Sequence, residues 1–347
     1  MRTILVTVGT SLISNAKREG SSANRADLLH VLATTDAAKC CAETHGLARM
    51  GLKPEDRLVF VHSDTEEGER CAEALCAYYG NRGRQARRAK VPGLTYDAKA
   101  VGRKGLRSMV SVLTELIRAE RREGRQVELN ATGGFKAETA AATLVGLLLK
   151  APVYYVYEKY EEAVKLPALP VSWDLSLFGL HAEFFEWIEE EPRPAGEVRE
   201  RAKALPAELR ELLDDPEDGR RFLSYAGRAY LEAYRERVMQ APRVEVLLSR
   251  QARAAYEAAE PSTRQAFARC LEKLRVRELW ANQSERDGPG RVMVYPRGNT
   301  NERVFLTEDA EGRVRALELA RHSDGSYEKL RGKIRPEDYV QFEAWEG

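Results

Sequence analysis

At 347 residues the chain exceeds the usual size of a single domain, so two or three compact units are expected. Its 55 Lys+Arg stand against 54 Asp+Glu, which excludes a function driven by global attraction to polyanions; any nucleic-acid site must come from local placement. Five cysteines, odd in number and without a C-x-x-C pair, argue against a disulfide framework and a zinc site, and no apolar run approaches the roughly 18 residues of a membrane span, so a soluble cytoplasmic protein is expected.

Residues 3–8 are a continuous apolar run of strand length that ends in Gly9, Thr10, Ser11 and a hydroxyl-rich loop to Asn15. This reads as a buried parallel strand with a ligand loop at its carboxyl end. A helical pattern covers about 26–47. A second strand at 57–63 ends in Ser63, Asp64 and Thr65, which serve equally well as ligand contacts or as the cap of the helix that starts near Glu66. A strand at 85–91, a helix at 101–122, a strand at 126–130, a helix at 136–150 and a strand at 152–157 complete a β/α alternation, hence a Rossmann-like sheet.

The stretch Val127-Glu-Leu-Asn-Ala-Thr-Gly-Gly-Phe-Lys136 carries the chemistry of this half. Strand period gives way to helix period at the glycine pair, so strand, tight loop and helix N-terminus are predicted. Gly133 and Gly134 would let backbone approach a ligand, the first-turn N–H groups lack intrahelical partners, and Lys136 adds positive charge. Phosphate is the natural guest. The dinucleotide and P-loop fingerprints are both missing, so neither NAD nor a P-loop nucleotide is indicated.

Together, the Gly9-Thr-Ser loop, the Ser63-Asp-Thr turn and the Asn130-Ala-Thr-Gly-Gly-Phe-Lys element resemble the CARF domains of type III CRISPR ancillary effectors over about 160 residues. The resemblance implies a Rossmann-like homodimer that binds cyclic oligoadenylate, with the tetra-adenylate favoured, and that activates a nuclease elsewhere in the chain. It places Gly9, Thr10 and Ser11 against ring phosphates or riboses and Asn130, Thr132, Gly133, Gly134 and Lys136 on the other side. Some relatives also cleave the activator; here Thr10, Ser11 and Lys136 would serve, with the lysine stabilising developing phosphate charge.

The expected division is a CARF unit at 1–165, a small helical, winged-helix-like connector at 166–242 and an α+β unit at 243–347. The connector shows an acidic run at 189–191 beside Pro192 and Pro194, and a helical pattern through 222–235. Arg228, Arg235 and Arg237 are too mixed with Glu232 and Glu236 to favour DNA readout over a structural role.

In the last unit a strand at 243–249, helices from Gln251 and from Pro261 to Leu274, and alternating runs at 291–295, 303–306 and 313–319 predict two helices followed by an antiparallel meander. That order, with the turn at 308–312 and the segment 320–327, resembles the RelE/ParE toxin superfamily, whose RelE-type members are ribonucleases. RNA scission by the neighbouring 2′-hydroxyl needs no metal or cofactor, only a proton acceptor, a proton donor and positive charge at the phosphorane. Arg297, Arg303 and Arg321 are the candidates for charge, His322 for acid or base, and Tyr327 for base stacking or proton transfer. The superfamily resemblance extends the RNA substrate to mRNA on the ribosome. Two rival effectors are a HEPN-type site from Arg315 and His322, set against a strand-like alternation, and a metal-dependent nuclease; a third reading is a ligand-sensing transcription regulator.

Overall fold

The apolar run at the front of the chain becomes β1, Arg2–Val8, whose residues beyond Arg2 are all buried. It lies inside a six-stranded sheet ordered β3-β2-β1-β4-β5-β6, with β2 at Arg57–His62, β3 at Ala86–Lys90, β4 at Gln126–Asn130, β5 at Val153–Tyr155 and β6 at Val164–Leu166. The first five strands pair in parallel and β6 runs antiparallel to β5; β6 has no counterpart in the sequence reading. Parallel strands covered by helices on both faces must be apolar throughout, which is why β1 and β2 show no alternation. The edge strand β3 instead reads Ala-Arg-Arg-Ala-Lys, and Arg88 and Lys90 pair with Glu69, Glu73 and Asp64, a charged edge that discourages further strand pairing.

The structure is a computed structural model and describes all residues except 19, 96–103, 158–161, 169–174, 215–217, 299 and 347. The front unit's helices are α1 Ser11–Arg18, α2 Arg25–Thr34, α3 Ala37–Cys40, α4 Ala42–Arg49, α5 Glu66–Gly80, α6 Leu106–Arg122 and α7 Lys136–Leu148. Two expectations are corrected. The loop expected to Asn15 shortens to Gly9 and Thr10, because Leu12, Ile13 and Ala16 bury one face of a helix that begins at Ser11. The single helix expected over 26–47 is three. Thr35 takes an extended conformation that ends α2, and an extended Cys41 starts α4 in a reciprocal cap with Thr44, whose hydroxyl accepts the Cys41 N–H at 3.2 Å. Residues 101–103 of the helix expected from Val101 lie outside the described residues.

The chain divides into two compact units, Met1–Ser172 with Phe185–Ala233, and Trp173–Phe184 with Tyr234–Gly347. The residues of the expected connector are thus shared between them. They include α8 Ser176–Leu180, α9 Ala182–Glu190, α10 Ala195–Ala202, α11 Ala207–Arg210, α12 Tyr225–Gln240 and a two-stranded antiparallel ladder of β7 Arg193–Pro194 with β8 Arg220–Arg221.

In the second unit β9 Val246–Ser249 leads into α13 Arg250–Ala258, α14 Pro261–Leu274 and α15 Arg277–Trp280. Then follow β10 Glu285–Arg286, β11 Met293–Tyr295, β12 Glu302–Glu308, β13 Val314–Arg321, α16 Ser326–Leu330 and β14 Phe342–Ala344. The sheet order is β10-β11-β12-β13-β9-β14, with β9 parallel to β13 and the other pairs antiparallel. One face packs Val246, Leu248, Val304 and Leu306 against Phe267, Leu271 and Trp280, and the other packs Val294, Phe305 and Leu317 with Tyr327 of α16. Both faces are therefore occupied, unlike a meander with one wet side. Among the described residues no helix is long and apolar enough to cross a membrane.

Candidate functional site

Strand order reverses direction between β1 and β4: the chain moves outward to β2 and β3 on one side and to β5 and β6 on the other. Open α/β sheets bind ligands at such a switch point, beyond the carboxyl ends of the strands. A cavity of about 780 Å³ opens there, lined by Gly9, Thr10 and Ser11 after β1 and by Thr132, Gly133, Gly134 and Phe135 after β4. Its volume falls in the range of small-molecule sites.

Three helices begin at this cavity. Thr10 and Ser11 are the start of α1, Cys41 and Ala42 the start of α4, and Phe135 is the residue before α7; all five line the wall. Aligned peptide dipoles give each start a partial positive charge, although at α4 the Ala42 N–H is already taken up by Ser11 Oγ at 3.1 Å, and Arg18 and Lys39, also on the wall, add two formal charges. The arrangement is built for an anion. Tyr155 and Tyr157, which are 41% and 44% exposed, and Phe135 at 46% bring aromatic rings to the same lining, a chemistry suited to stacking on flat bases.

The glycines serve the protein before they serve any ligand. A Cβ on Gly133 would lie 2.2 Å from Glu43 Oε1 and 2.5 Å from the Thr7 carbonyl; one on Gly9 would lie 2.7 Å from the Gly134 nitrogen. The two loops touch backbone to backbone, and Thr7 Oγ1 donates to the Gly133 carbonyl at 2.5 Å. Gly134 adopts φ +93°, which side-chained residues rarely take.

Under the anion-attracting wall lie two buried carboxyls that the sequence reading missed. Glu43 accepts the Gly9 N–H at 2.7 Å and is fully buried, so its pKa is raised, mainly by desolvation, against the opposing pull of the Gly9 amide. Glu138, in the first turn of α7, lines the cavity; burial, the largest cause, pushes it up to about 7, with a smaller contribution from Glu43 and an opposing one from the Phe135 amide. Glu138 had one sequence signal, its place in the first turn of the helix after the glycines; Glu43 had none, since the helix start before it is visible only in the structure.

The remaining expected contacts divide. Thr132 lines the wall and accepts the Val156 N–H at 3.1 Å. Asn130 is wholly buried behind it, accepting the Thr132 N–H at 3.2 Å and donating to the Glu43 carbonyl at 3.4 Å, so it braces the loop rather than meeting a ligand. Lys136 is exposed at the start of α7 and is not part of the lining. Ser63, Asp64 and Thr65 lie away from the cavity at the end of β2. Thr65 accepts the Gly68 N–H at 3.1 Å as the cap of α5, Ser63 contacts Thr65 at 2.8 Å, and Asp64 accepts the Gly93 N–H at 3.0 Å. Of the two readings that sequence left open there, the capping geometry is the one present.

In the second unit the candidate residues separate into core and rim. Arg303 is 2% exposed, and its guanidinium donates to the carbonyls of Thr300 at 2.7 Å, Glu302 at 2.8 Å and Gly298. It binds the 298–302 loop together instead of standing free for a phosphate. Tyr327 is also core: 4% exposed, stacked on Phe305 with centroids 5.7 Å apart and donating to Glu285 at 3.2 Å, so it offers no open face to a base. Arg321 is half-buried with Glu302 4.0 Å away, and Arg297 is exposed. His322 follows β13, its Nδ1 2.7 Å from Glu328 and its ring edge-on to Tyr327 at 4.5 Å. Arg315 lies on strand β13 beside Asp309 at 3.3 Å, so the helix on which a HEPN pair would sit is not there. Among the described residues, no group of three or more His, Cys, Asp or Glu side chains is placed to hold a metal ion.

Residues 38–169 match the model of a family described as CRISPR-associated protein (Cas_APE2256). The matched span holds the α4 start, the glycine loop and β5, but not β1 or its loop. No curated protein matches the chain in sequence. Among solved structures, Enterococcus italicus Csm6 bound to cyclic hexa-2′-fluoro-hexa-dAMP is similar at TM-score 0.30 and 10% identity, over 54% of this chain and 46% of that one, so under half of that relative's length is spanned. Protein VC1899 from Vibrio cholerae follows at TM-score 0.28, 11% identity and 72% and 71% coverage. Can2 from Sulfobacillus thermosulfidooxidans in complex with cyclic tetra-adenylate gives 0.26, 12%, and 70% of each chain. Scores of this size do not establish a shared fold.

Proposed function

We propose that the front unit is a receptor for a cyclic oligoadenylate in CRISPR antiviral defence, and that the bound ring activates RNA cleavage by the second unit. The observation that carries the reading is the convergence of three helix starts on one cavity at the β1/β4 switch point, within a sheet most of which matches a CRISPR-associated family model. A ring of linked nucleotides supplies both chemistries of that wall: phosphates for the N–H groups, Arg18 and Lys39, and bases for the tyrosines. Two copies of the chain would close over one ring, and the tetra-adenylate is the favoured size.

Cleavage in the second unit is proposed to proceed by 2′-hydroxyl attack without metal, with His322 transferring protons and Arg321 and Arg297 stabilising charge. The sequence resemblance to RelE-type ribonucleases extends this proposal to mRNA on the ribosome. Slow cleavage of the ring itself would use Thr10 and Ser11, which face the cavity; Lys136 would have to act from outside it.

Labelled RNA is incubated with the purified chain and each cyclic oligoadenylate, with and without EDTA. Ring-dependent scission that survives EDTA and is lost in His322→Ala is expected. Scission that EDTA abolishes would point to a metal-dependent effector, and no uptake of any ring by calorimetry would refute the receptor reading.

A further inference from the structure

We infer that Glu328 is the positioning residue for His322, holding the proton on Nδ1 so that Nε2 is the nitrogen presented to RNA. The inference rests on the ribonuclease reading above and names a residue that reading lacks. A carboxylate can only accept, so a Glu328 Oε1 at 2.7 Å from Nδ1 requires the proton to sit on Nδ1. Nε2 then carries the lone pair in neutral imidazole and the donor N–H in imidazolium. Those are the two states that a group handling the 2′-hydroxyl proton needs.

The ring's orientation is set from several sides. Its edge packs on Tyr327 at 4.5 Å, and Tyr327 is itself held by Phe305 and Glu285. The His322 N–H donates to the Asn301 carbonyl at 3.0 Å, and the Ser323 N–H to Asn301 Oδ1 at 2.9 Å. Glu328 is brought to the ring by the turn between β13 and α16. Gly325 enters it at φ +69°, and Ser326 Oγ closes it by accepting the Arg321 N–H at 2.8 Å. The side chains of His322 and Glu328 are 39% and 56% exposed, so the pair adds little to stability, and its consequence is orientation.

In the step this serves, O2′ forms a bond to phosphorus as the P–O5′ bond breaks. The 2′-hydroxyl proton passes to Nε2 and a solvent water delivers a proton to O5′, leaving a 2′,3′-cyclic phosphate and a 5′-hydroxyl. Without Glu328 the neutral ring is free to carry its proton on Nε2, where it cannot accept.

Nitrogen-15 NMR of the full-length protein reads the tautomer directly, alongside ring-stimulated RNA cleavage. The wild type is expected to show neutral His322 protonated on Nδ1. Glu328→Ala should move the population toward Nε2–H and lower kcat by roughly 10- to 100-fold at little changed KM, and Glu328→Gln, whose oxygen still accepts from Nδ1, should restore the tautomer and part of the rate. An Nε2–H tautomer in the wild type overturns the inference. So does cleavage that is lost in His322→Ala but unchanged in Glu328→Ala. If the wild type cleaves no RNA with any ring, the ribonuclease reading fails first and the inference falls with it.

Discussion

Glu138 is a carboxyl whose burial moves its protonation into the neutral range. A carboxyl held near pKa 7 in the fold and near 4.5 when exposed binds its proton more tightly in the native state, so Glu138's own contribution to stability is fullest below about pH 4.5 and is lost as pH rises through 7. The full decline is on the order of 3 kcal/mol. Glu138→Gln preserves an acceptor for the Phe135 amide and removes the ionisation. The expected outcome is a smaller difference in melting temperature between pH 5.5 and pH 8 than in the wild type. Ring affinity, measured by calorimetry over the same range, should fall with rising pH in the wild type and much less in the variant, because a bound phosphate favours the neutral carboxyl. Gly133 teaches a related lesson: its missing side chain leaves room for Glu43 and the Thr7 carbonyl, so a glycine that signals ligand approach in sequence can be required by the protein's own packing.

At the scale of elements, the turn after β2 and the loop before β12 show how hydroxyls and arginines are used up locally. Thr65 caps α5, so Thr65→Ala should cost about 1 kcal/mol in chemical denaturation while ring affinity stays unchanged. A large loss of affinity with no loss of stability would return Thr65 to the binding site. Arg303, opposite Ala320, and Arg321, opposite Glu302, sit in adjacent pairs of the β12–β13 ladder yet differ in burial, 2% against a side chain at 32%. Arg303→Ala strips the charged donor from three carbonyls and should lower stability by about 2 kcal/mol or more. Arg321→Ala should instead lower kcat for RNA with little change in melting temperature. The buried strands β1, β2, β4, β9, β12 and β13 and the β/α alternation were legible in sequence because period and apolar content report burial directly, whereas the short strands β6, β10 and β14 were not. The division of 26–47 into three helices was not, since Thr35 and Cys41 carry only weak stop signals, and the α4 start reaches the cavity through that division.

For the whole molecule, net charge near zero means that the proposed anion binding would rely on short-range fields, the three helix starts with Arg18 and Lys39. A ring can switch the second unit only by binding the active arrangement better than the resting one. Lys39→Glu should therefore raise the ring concentration for half-maximal RNA cleavage about tenfold, while the rate at saturating ring remains that of the wild type. A lower plateau at saturation would place Lys39 in the transmission of the signal as well as in capture.

The sequence alone determined the five parallel strands of the front unit, the glycine loop after β4 and the split into more than one unit, because local period, turn residues and length carry that information without reference to the rest of the chain. It also supplied the residues of the cavity wall after β1 and β4. Only the tertiary structure decided that β1 and β4 are neighbours, that α4 points its N-terminus at their loops, and that Asn130, Arg303 and Tyr327 are buried braces. Burial and partnership depend on which distant segments meet, and a side chain's chemistry is spent or left available by that meeting.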